Sequence, residues 1–470
     1  MNELDIFFNP RSVAIIGATE IPKFGYYQTK YLLERADKNK DFSAYPINFK
    51  KDTIFGKKSY KSILEIPDPI ELALILVNTR QVLTVFKESI KKGVNVIVLE
   101  SSGFSETGDP DLIKIQQELE TLIRDSKGKV RVIGPNCVGI TNFTNEFTTT
   151  DTIFGRLDPG PISIISQSGV LGNIIIDLAK SQGLRFNKVI SMGNKIDVNE
   201  NDLLDYLLED KGTKVVSMYL EGVSKGDKRF LNTISRFTKK KPLVIVKNGR
   251  TQVGARAAYS HTASIAGNDA IYQGVFDQTG VIRAKNFYEL FAFSKILASQ
   301  PLPKGNKVGI ITASGSLGIL ACDEMTMQGL ELATLDSGTF EKMKEKAPHF
   351  VSLKNPVDLG PAQLQMYEIC VEALLEDPNV DMFLQIFCIP EEIFKILGST
   401  FESNAKKIQK LNQKYKKPSI FVAFSPPWMV QKFVDEGLKY DIPVLNDVQL
   451  AIRCLGVLHK YKSFLESRQR

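Results

Sequence analysis

The sequence predicts an α/β protein that consists of one Rossmann-type domain followed by two flavodoxin-like domains. Its 470 residues are enough for about three domains, each with its own core. Short apolar strands alternate with helical spacers, which is typical of parallel sheets covered by helices on both faces. A motif that starts near residue 162 recurs near residue 308, which indicates a duplication within the last two thirds of the chain.

The composition is typical of globular proteins, with 43% hydrophobic residues, 24% charged residues and a net charge of +7. The basic run 239–241 precedes Pro242 and an apolar strand, so we interpret it as a solvated helix end and expect no nucleic-acid partner. No apolar run approaches the roughly 20 residues of a membrane span, and residues 1–8 lack the pattern of a signal peptide. Five scattered cysteines predict free thiols, no metal site and a cytoplasmic location.

The first third begins with an apolar strand, residues 12–17, which ends at Gly17. Ala18, Thr19 and the segment 22–25 come next, and a helical pattern follows them. A strand that runs into a glycine turn and a helix start is a phosphate-binding arrangement of the Rossmann kind. Further strands are predicted at residues 44–48, 73–77, 94–99 and 130–133.

The end of the second predicted strand is basic. An NAD-dependent enzyme places an acid there, roughly 20 residues past the glycines, to bind the ribose diol. This chain has Asn48, Phe49, Lys50 and Lys51 instead. Basic side chains suit a phosphorylated ribose, so the pattern predicts coenzyme A (CoA) or NADP as the ligand.

A rigid turn, residues 134–139, closes the first third and places Asn136 beside Cys137. A cysteine in such a turn is a candidate nucleophile. Activation of its thiol requires a nearby base, and this third of the sequence contains no histidine. We therefore assign Cys137 no catalytic role.

The remaining two thirds contain two copies of one pattern. Residues 166–169 (Ser-Gln-Ser-Gly) follow an apolar strand, and residues 314–315 (Ser-Gly) follow the corresponding strand of the second copy. In both copies a Leu-Leu-Glu-Asp sequence and a Lys-Lys-Pro sequence each precede a later strand. A Ser-Gly turn at the start of a helix offers free backbone N–H groups, so each turn predicts an anion site.

The two copies differ at two positions that can carry chemistry. Counting from the shared sequences places Glu221 opposite Cys388, and His261 opposite Gly437. Only the first copy therefore combines a carboxylate at a strand end with a histidine in a loop of small residues. A carboxylate that binds one ring nitrogen fixes the tautomer while the other nitrogen attacks. We therefore predict that His261 carries a phosphoryl group and that Glu221 assists it.

The motifs of this chain resemble those of the α subunit of the ADP-forming acyl-CoA synthetases, which are relatives of succinyl-CoA synthetase. They occur in the family's order over nearly the whole chain: 13–19, 22–25, 102–104, 134–137, 166–169, 193–197, 220–222, 260–267 and 355–358. The resemblance implies a CoA-binding Rossmann domain at 1–150, a phosphohistidine flavodoxin-like domain at 151–300 and a second flavodoxin-like ligase domain at 301–470.

The resemblance also implies a reversible reaction. Acyl-CoA and phosphate give acyl phosphate and CoA, the phosphoryl group moves to His261, and it then passes to ADP. Glu221 would orient His261, and the loop Ser166, Gln167, Ser168 and Gly169 would bind the phosphoryl group. The residues implied for CoA binding are Gly17, Ala18, Thr19, Lys23, Gly25, Lys50, Val77, Asn78, Ser102 and Asn136.

The sequence contains no recognisable ATP-grasp segment, which would combine a glycine-rich nucleotide lid with acidic metal ligands. In this family that part often lies on a separate β subunit. The resemblance therefore implies a hetero-oligomer, α2β2 or similar, in which Mg²⁺ and ADP or ATP bind mainly to the partner. The other implied ligands are phosphate and a small carboxylic acid or its acyl-CoA.

Three departures from the family pattern leave alternatives open. Ala263 replaces a glycine, Phe49 stands where proline is usual, and residues 313–318 lack the expected Gly-Gly-Pro-Gly. One alternative is a catalytically altered regulatory subunit that binds CoA or acyl-CoA. Another is an NADP-dependent oxidoreductase, which would give the duplicated domains no role. The sequence does not specify the acyl group.

Overall fold

The computed structural model describes residues 3–151, 158–224, 228–254, 256, 268–345, 347, 351–360, 364–388 and 401–468. The chain forms two compact units. Unit 1 comprises Met1–Lys180 and Arg185–Lys285, and unit 2 comprises Ser181–Leu184 and Asn286–Arg470. The predicted α/β class is confirmed, because both units contain largely parallel sheets whose strands are connected by helices.

The first sheet of unit 1 has the strand order of a Rossmann fold. Its elements are α1 (Asp5–Phe8), β1 (Ser12–Ile16), α2 (Tyr26–Lys38), β2 (Ser43–Ile47), β3 (Thr53–Ile54), β4 (Lys57–Lys58), β5 (Leu72–Ile75), α3 (Thr79–Lys92), β6 (Val96–Leu99), α4 (Pro110–Asp125) and β7 (Arg131–Ile133). The parallel order is β2–β1–β5–β6–β7. Tyr60 forms a parallel β-bridge with Ile47, on the edge of β2 that does not pair with β1. This bridge replaces the third strand of the Rossmann order 3-2-1-4-5-6.

The second sheet of unit 1 contains five parallel strands in the flavodoxin order 2-1-3-4-5. Its elements are β8 (Ile140–Asn142), β9 (Phe147–Thr148), β10 (Ile162–Ser166), α5 (Gly169–Ser181), β11 (Phe186–Ser191), α6 (Glu200–Glu209), β12 (Val215–Leu220), α7 (Phe230–Thr238), β13 (Leu243–Lys247), α8 (Asp269–Thr279) and β14 (Ile282–Ala284). The order is β14–β13–β12–β10–β11–β8–β9. Strands β8 and β9 come directly after the strands of the first sheet in the chain. β8 pairs antiparallel with β11 and β9 pairs antiparallel with β8, so the two strands form one edge of the second sheet.

The sheet of unit 2 repeats the flavodoxin order. Its elements are α9 (Phe287–Ser299), β15 (Lys307–Thr312), α10 (Gly315–Met327), β16 (Glu331–Leu332), α11 (Ser337–Lys344), β17 (Val357–Asp358), α12 (Leu364–Glu376), β18 (Met382–Phe387), α13 (Phe401–Tyr415), β19 (Ser419–Ala423), α14 (Pro427–Lys439), β20 (Val444–Leu445) and α15 (Val448–Ser467). The order is β16–β15–β18–β19–β20, and β17 pairs with β15. The shared order agrees with the duplication inferred from the repeated motifs.

The central strands are buried along their whole length, as expected for sheets covered on both faces. Every residue of β1, β5, β10 and β13 is buried. The polar segments that carry the candidate site residues therefore follow the strands instead of interrupting them. Within the described part of the chain, no helix is both long and apolar enough to cross a bilayer.

Candidate active site

The glycine turn after β1 lies where the strand order of the first sheet reverses. Gly17 has φ +97°, and a Cβ at this position would lie 3.0 Å from the backbone of Leu76. The N–H groups of Gly17 and Ala18 donate to the carbonyl of Ile47 at 3.0 and 3.1 Å. Only glycine fits this approach of two backbones, and such a switch point is where doubly wound sheets bind ligands.

The predicted turn residues that follow lie between β1 and the start of α2. Thr19 is buried, and its N–H donates to Thr29 Oγ1 at 3.2 Å. Lys23 is exposed. Gly25 is the N-cap of α2 with φ +94°, a backbone conformation that glycine adopts without strain. The turn therefore presents an exposed cation beside a helix start.

The two lysines of the basic segment after β2 have different environments. The Asn48 amide donates to the Ala18 carbonyl at 2.9 Å, and its oxygen accepts from the N–H groups of Lys50 and Lys51 at 2.9 and 3.2 Å. Lys51 forms an ion pair with Glu20 at 2.5 Å, whereas the Lys50 side chain is exposed. The tertiary structure thus distinguishes two lysines that are equivalent in the sequence.

The other residues predicted for CoA binding follow the next three strands of the same sheet. Ser101 Oγ donates to the Val77 carbonyl at 2.6 Å, and Asn136 N donates to the Ser101 carbonyl at 2.8 Å. Asn78 caps α3 and is exposed, as is Ser102. All ten residues predicted for CoA therefore lie at the carboxyl edge of one sheet.

Cys137 is buried, and its thiol donates to the Leu99 carbonyl at 3.4 Å. Burial raises the pKa of this thiol, and the neighbouring Glu100 raises it further. A thiol in this state is a poor nucleophile. The environment of Cys137 therefore agrees with assigning it no catalytic role.

The last turn of the first sheet contacts a loop of the second sheet. Asn194 N donates to the Pro135 carbonyl at 2.8 Å, and the Asn136 amide donates to Asn194 Oδ1 at 3.3 Å. A Cβ at Gly193 would lie 2.0 Å from the Pro135 carbonyl oxygen, so this position requires glycine. The contact places Asn136, which was predicted for CoA binding, next to a loop of the second sheet.

The predicted phosphate loop connects β10 to α5. Ser166 Oγ donates to the Ser168 carbonyl at 2.7 Å, so this hydroxyl stabilises the turn. Gln167 is buried, and its side-chain oxygen accepts from the N–H groups of Glu221 and Gly222 at 2.9 and 3.2 Å. Ser168 and Gly169 are half-buried at the beginning of the helix. The structure therefore gives Ser166 and Gln167 internal partners and places Ser168 and Gly169 at the helix N-terminus.

Glu221 is only 4% exposed, although it follows directly after β12. The Tyr219 hydroxyl donates to Glu221 Oε1 at 3.2 Å, and the Asn248 amide donates to the Tyr219 oxygen at 3.0 Å. Burial and the Glu221 charge raise the pKa of Tyr219 to about 12, so its proton is retained at neutral pH. Gln167, Tyr219 and Asn248 together fix the position of this carboxylate and its backbone.

Two buried lysines surround this site. Lys247 ends β13 and donates to the Asn248 carbonyl at 2.5 Å, and burial lowers its pKa to about 8. Lys195 pairs with Glu200 at 3.0 Å and donates to the Gly222 carbonyl at 2.7 Å. Neither lysine was predicted as a site residue, although Lys195 lies within the motif 193–197, because its contact with the Gly222 carbonyl joins segments 27 residues apart.

The sister loop of unit 2 is built differently. A Cβ at Gly315, the first residue of α10, would lie 2.8 Å from the Asp358 carboxylate. An acid of the chain therefore lies against the helix start that corresponds to Gly169. Cys388, which the sequence aligned with Glu221, has its pKa raised by burial and by Asp358. The anion site predicted for this second Ser-Gly turn thus already has a carboxylate next to it.

His261, together with the loop 260–267 and Ala263, lies outside the described residues. The described helix α8 begins just after this loop, and Asn268 caps it by accepting from Ala270 N at 2.9 Å. The strand before the loop ends at Lys247, next to Asn248. The structure therefore defines a segment on each side of the histidine loop. On the N-terminal side, Asn248 contacts Tyr219.

Two stretches of the chain match known domain families. Residues 11–142 match the CoA binding domain, and residues 159–297 match the succinyl-CoA ligase like flavodoxin domain. The Rossmann order of the first sheet and the flavodoxin order of the second agree with these matches. The class of protein is therefore a CoA-binding α/β ligase, which confirms CoA over NADP as the ligand.

Several relatives narrow the class. The chain is 35% identical to acetate–CoA ligase (ADP-forming) I subunit alpha of Pyrococcus furiosus, with 98% of each covered. It is 43% identical to an ADP-forming acetate–CoA ligase of Methanocaldococcus jannaschii, over 76% of this chain and 49% of that one. The chain thus spans about half the length of that relative.

A solved structure gives the same result over the full length. The chain matches the dinucleotide forming acetyl-coenzyme A synthetase 1 of Ca. Korarchaeum cryptofilum, solved in complex with phosphate and ADP, with a TM-score of 0.88 and 30% identity. The match covers 100% of both chains. This chain belongs to the family of ADP-forming acyl-CoA synthetase α subunits.

Proposed function

We propose that this chain is the catalytic α subunit of an ADP-forming acyl-CoA synthetase, with domains at 1–150, 151–300 and 301–470. The enzyme would interconvert acyl-CoA, ADP and phosphate with the free acid, CoA and ATP. The observation that carries the proposal is the bond between Gln167 and the backbone N–H of Glu221. It connects the predicted phosphate loop to the backbone that carries the Glu221 carboxylate.

On the CoA side, the proposal is supported by a close backbone approach and by exposed cations. The close approach at Gly17 leaves no side chain between β1 and β5, so a ligand can lie against the backbone. Lys50 is exposed at the end of β2 and would bind the 3′-phosphate of the ribose. Lys23 would contact the diphosphate at the start of α2. The other residues predicted for CoA would line the pantetheine.

On the phosphoryl side, His261 would attack acyl phosphate and hold the phosphoryl group before it passes to ADP. Glu221 would accept a hydrogen bond from one ring nitrogen and stabilise the positive ring during the attack. The N–H groups at Ser168 and Gly169 would bind the phosphoryl oxygens at the positive end of α5. Tyr219 would keep Glu221 oriented in each step.

The nucleotide would bind to a second chain. The names of the Pyrococcus furiosus relatives denote α subunits and so imply a separate partner for those proteins. By analogy, an ATP-grasp β subunit would supply Mg²⁺ and ADP, in an α2β2 assembly or a similar one. The substrate would be a small carboxylic acid or its acyl-CoA.

The test is phosphorylation of the reconstituted protein. The chain is incubated with its β subunit and ATP labelled at the γ-phosphate, and acid-labile, base-stable label on the α chain is measured. Wild type should be labelled, and His261→Ala should not. His459→Ala is the matched control, since this histidine lies in α15 of unit 2, and it should retain the label.

Absence of label in wild type would overturn the catalytic proposal, provided that the β subunit in the mixture binds its nucleotide. Calorimetric CoA binding by the same protein would then identify the regulatory alternative. A labelled His261→Ala variant would instead show that another residue carries the phosphoryl group. Acid release of free phosphate and peptide mapping separate these outcomes.

A further inference from the structure

A small cavity of unit 2 is not part of the sites described above. It has a volume of about 70 Å³, which is enough for about five water-sized groups. Its lining comes from Ser181 and Gln182 at the carboxyl end of α5, from α9 and α14, from β20 with the following Asn446, and from the start of α15. None of these residues belongs to the predicted CoA site or phosphate loop.

Among the described residues that line the cavity, Lys295 alone has a charged side chain. Its ammonium donates to the Val444 carbonyl at 3.0 Å, which uses one of its three N–H donors. No carboxylate among the described residues forms an ion pair with Lys295. Burial lowers the pKa of Lys295 to about 8. A partly buried cation that has no carboxylate partner among the described residues favours an anion beside it.

The rest of the lining is part polar and part apolar. Asn446 and Gln182 provide amide groups, whereas Phe291, Val430 and Val434 provide hydrocarbon. A phosphate ion would place hydrated oxygens against this hydrocarbon and leave many of them without donors. A carboxylate with a short alkyl chain satisfies both parts of the lining.

We propose that this cavity binds a short-chain monocarboxylate, with its carboxylate on Lys295 and its alkyl chain against Val430 and Val434. The site differs from the one at which the proposed reaction would activate an acid, since it uses no residue of unit 1. Bound acid would therefore stabilise unit 2 without taking part in the chemistry.

The first test measures lysine reactivity in the full-length wild-type protein. Limiting deuterated acetic anhydride labels exposed amines, and peptide mass spectrometry measures the labelling rate of each lysine with rising butyrate. Labelling of Lys295 should fall severalfold. Lys417 is the matched control, because burial also lowers its pKa to about 8 and it does not line the cavity. Its labelling should not change.

Phosphate at the same ionic strength is the competing probe. Equal protection of Lys295 by phosphate and butyrate would overturn the carboxylate assignment, and so would equal protection of both lysines. A lack of protection by butyrate would overturn the site itself. None of these outcomes depends on catalysis, so they are independent of the phosphorylation test.

A second measurement uses saturation-transfer NMR of butyrate. Lys295→Met keeps much of the side-chain volume and removes the charge, so it should weaken binding at this site by about tenfold or more. Retention of wild-type affinity in a folded Lys295→Met protein would contradict the proposal. Lys417→Met serves as the control for removal of a buried charge elsewhere in unit 2.

Discussion

The Tyr219 hydroxyl donates a hydrogen bond of 3.2 Å to the Glu221 carboxylate and accepts one of 3.0 Å from Asn248. Asn248 follows β13 directly, at the start of the segment that leads to His261. The carboxylate is therefore linked to the backbone that carries the histidine loop. The corresponding strand position in unit 2 is Ile386, which pairs with Thr312 as Tyr219 pairs with Ser166. The link exists in only one copy of the duplication.

Tyr219→Phe removes this link and leaves the ring. We expect phosphorylation of the α chain to slow by about 10- to 100-fold, since a hydrogen bond to a charged group contributes about 1.5–3 kcal/mol. The measurement is the initial rate of labelling from γ-labelled ATP with the β subunit. Tyr367→Phe is the control, because it removes a similar buried bond, to Gln385 in unit 2. Equal slowing in both variants would indicate a general loss of stability.

Lys50→Ala should weaken CoA binding by about tenfold, because the charge-assisted contact with the 3′-phosphate is lost. Binding of dephospho-CoA, which lacks this phosphate, should be nearly unchanged. Lys51→Ala is the matched control, because Glu20 already neutralises that side chain. Calorimetry with both ligands checks the expectation. A larger loss for Lys51→Ala than for Lys50→Ala would reverse our assignment of the two lysines.

Gly17→Ala should lower stability and abolish measurable CoA binding. A Cβ would lie 3.0 Å from the Leu76 backbone, and the positive φ alone costs about 1–2 kcal/mol. Gly56→Ala is the control, because this glycine also has a positive φ and its Cβ would meet no atom within 4 Å. Thermal unfolding measures the backbone strain that both variants share. CoA titration measures the effect of the collision with Leu76, which only Gly17→Ala introduces. CoA binding by Gly17→Ala at wild-type affinity would show that the close approach is not required.

Lys417 should make stability depend on pH above neutrality. Burial lowers its pKa to about 8, so between this pH and about 10.4 the unfolded chain binds a proton that the folded chain has released. Stability must therefore rise with pH in that window, by at most about 3 kcal/mol. Tm measured from pH 7 to pH 10 should rise for wild type relative to Lys417→Met. The neighbouring exposed Lys416→Met is the control and should follow wild type.

Local sequence was sufficient for the parts of the fold and site that depend on one segment. Gly17 was identified because the turn between a strand and a helix requires a backbone conformation that favours glycine. Its φ of +97° is such a conformation. Glu221 was identified because the second copy of the domain has a cysteine in its place. The structure then added burial and fixed partners to a carboxylate that the sequence could place only at a strand end.

Residues whose partners are distant in the sequence were missed. Lys195 contacts the residue after Glu221 through its bond to the Gly222 carbonyl, which is 27 residues away in the sequence. Its ion pair with the nearby Glu200 gives no indication of this contact. Asp358 belongs to a motif that the sequence did recognise. Nothing in that motif indicated that its carboxylate would lie near Gly315, at the start of α10.

The sequence by itself determined the α/β class, the duplication and the glycine turn, and it predicted Glu221 and His261 as the chemical residues. Each of these follows from local periodicity, from a backbone requirement or from comparison of two internal copies. Only the tertiary structure decided that Lys50 and not Lys51 is available, that Tyr219 holds Glu221, and that Lys295 lines a cavity. These depend on which strand ends and helices meet, and packing between distant segments sets burial and charge pairing.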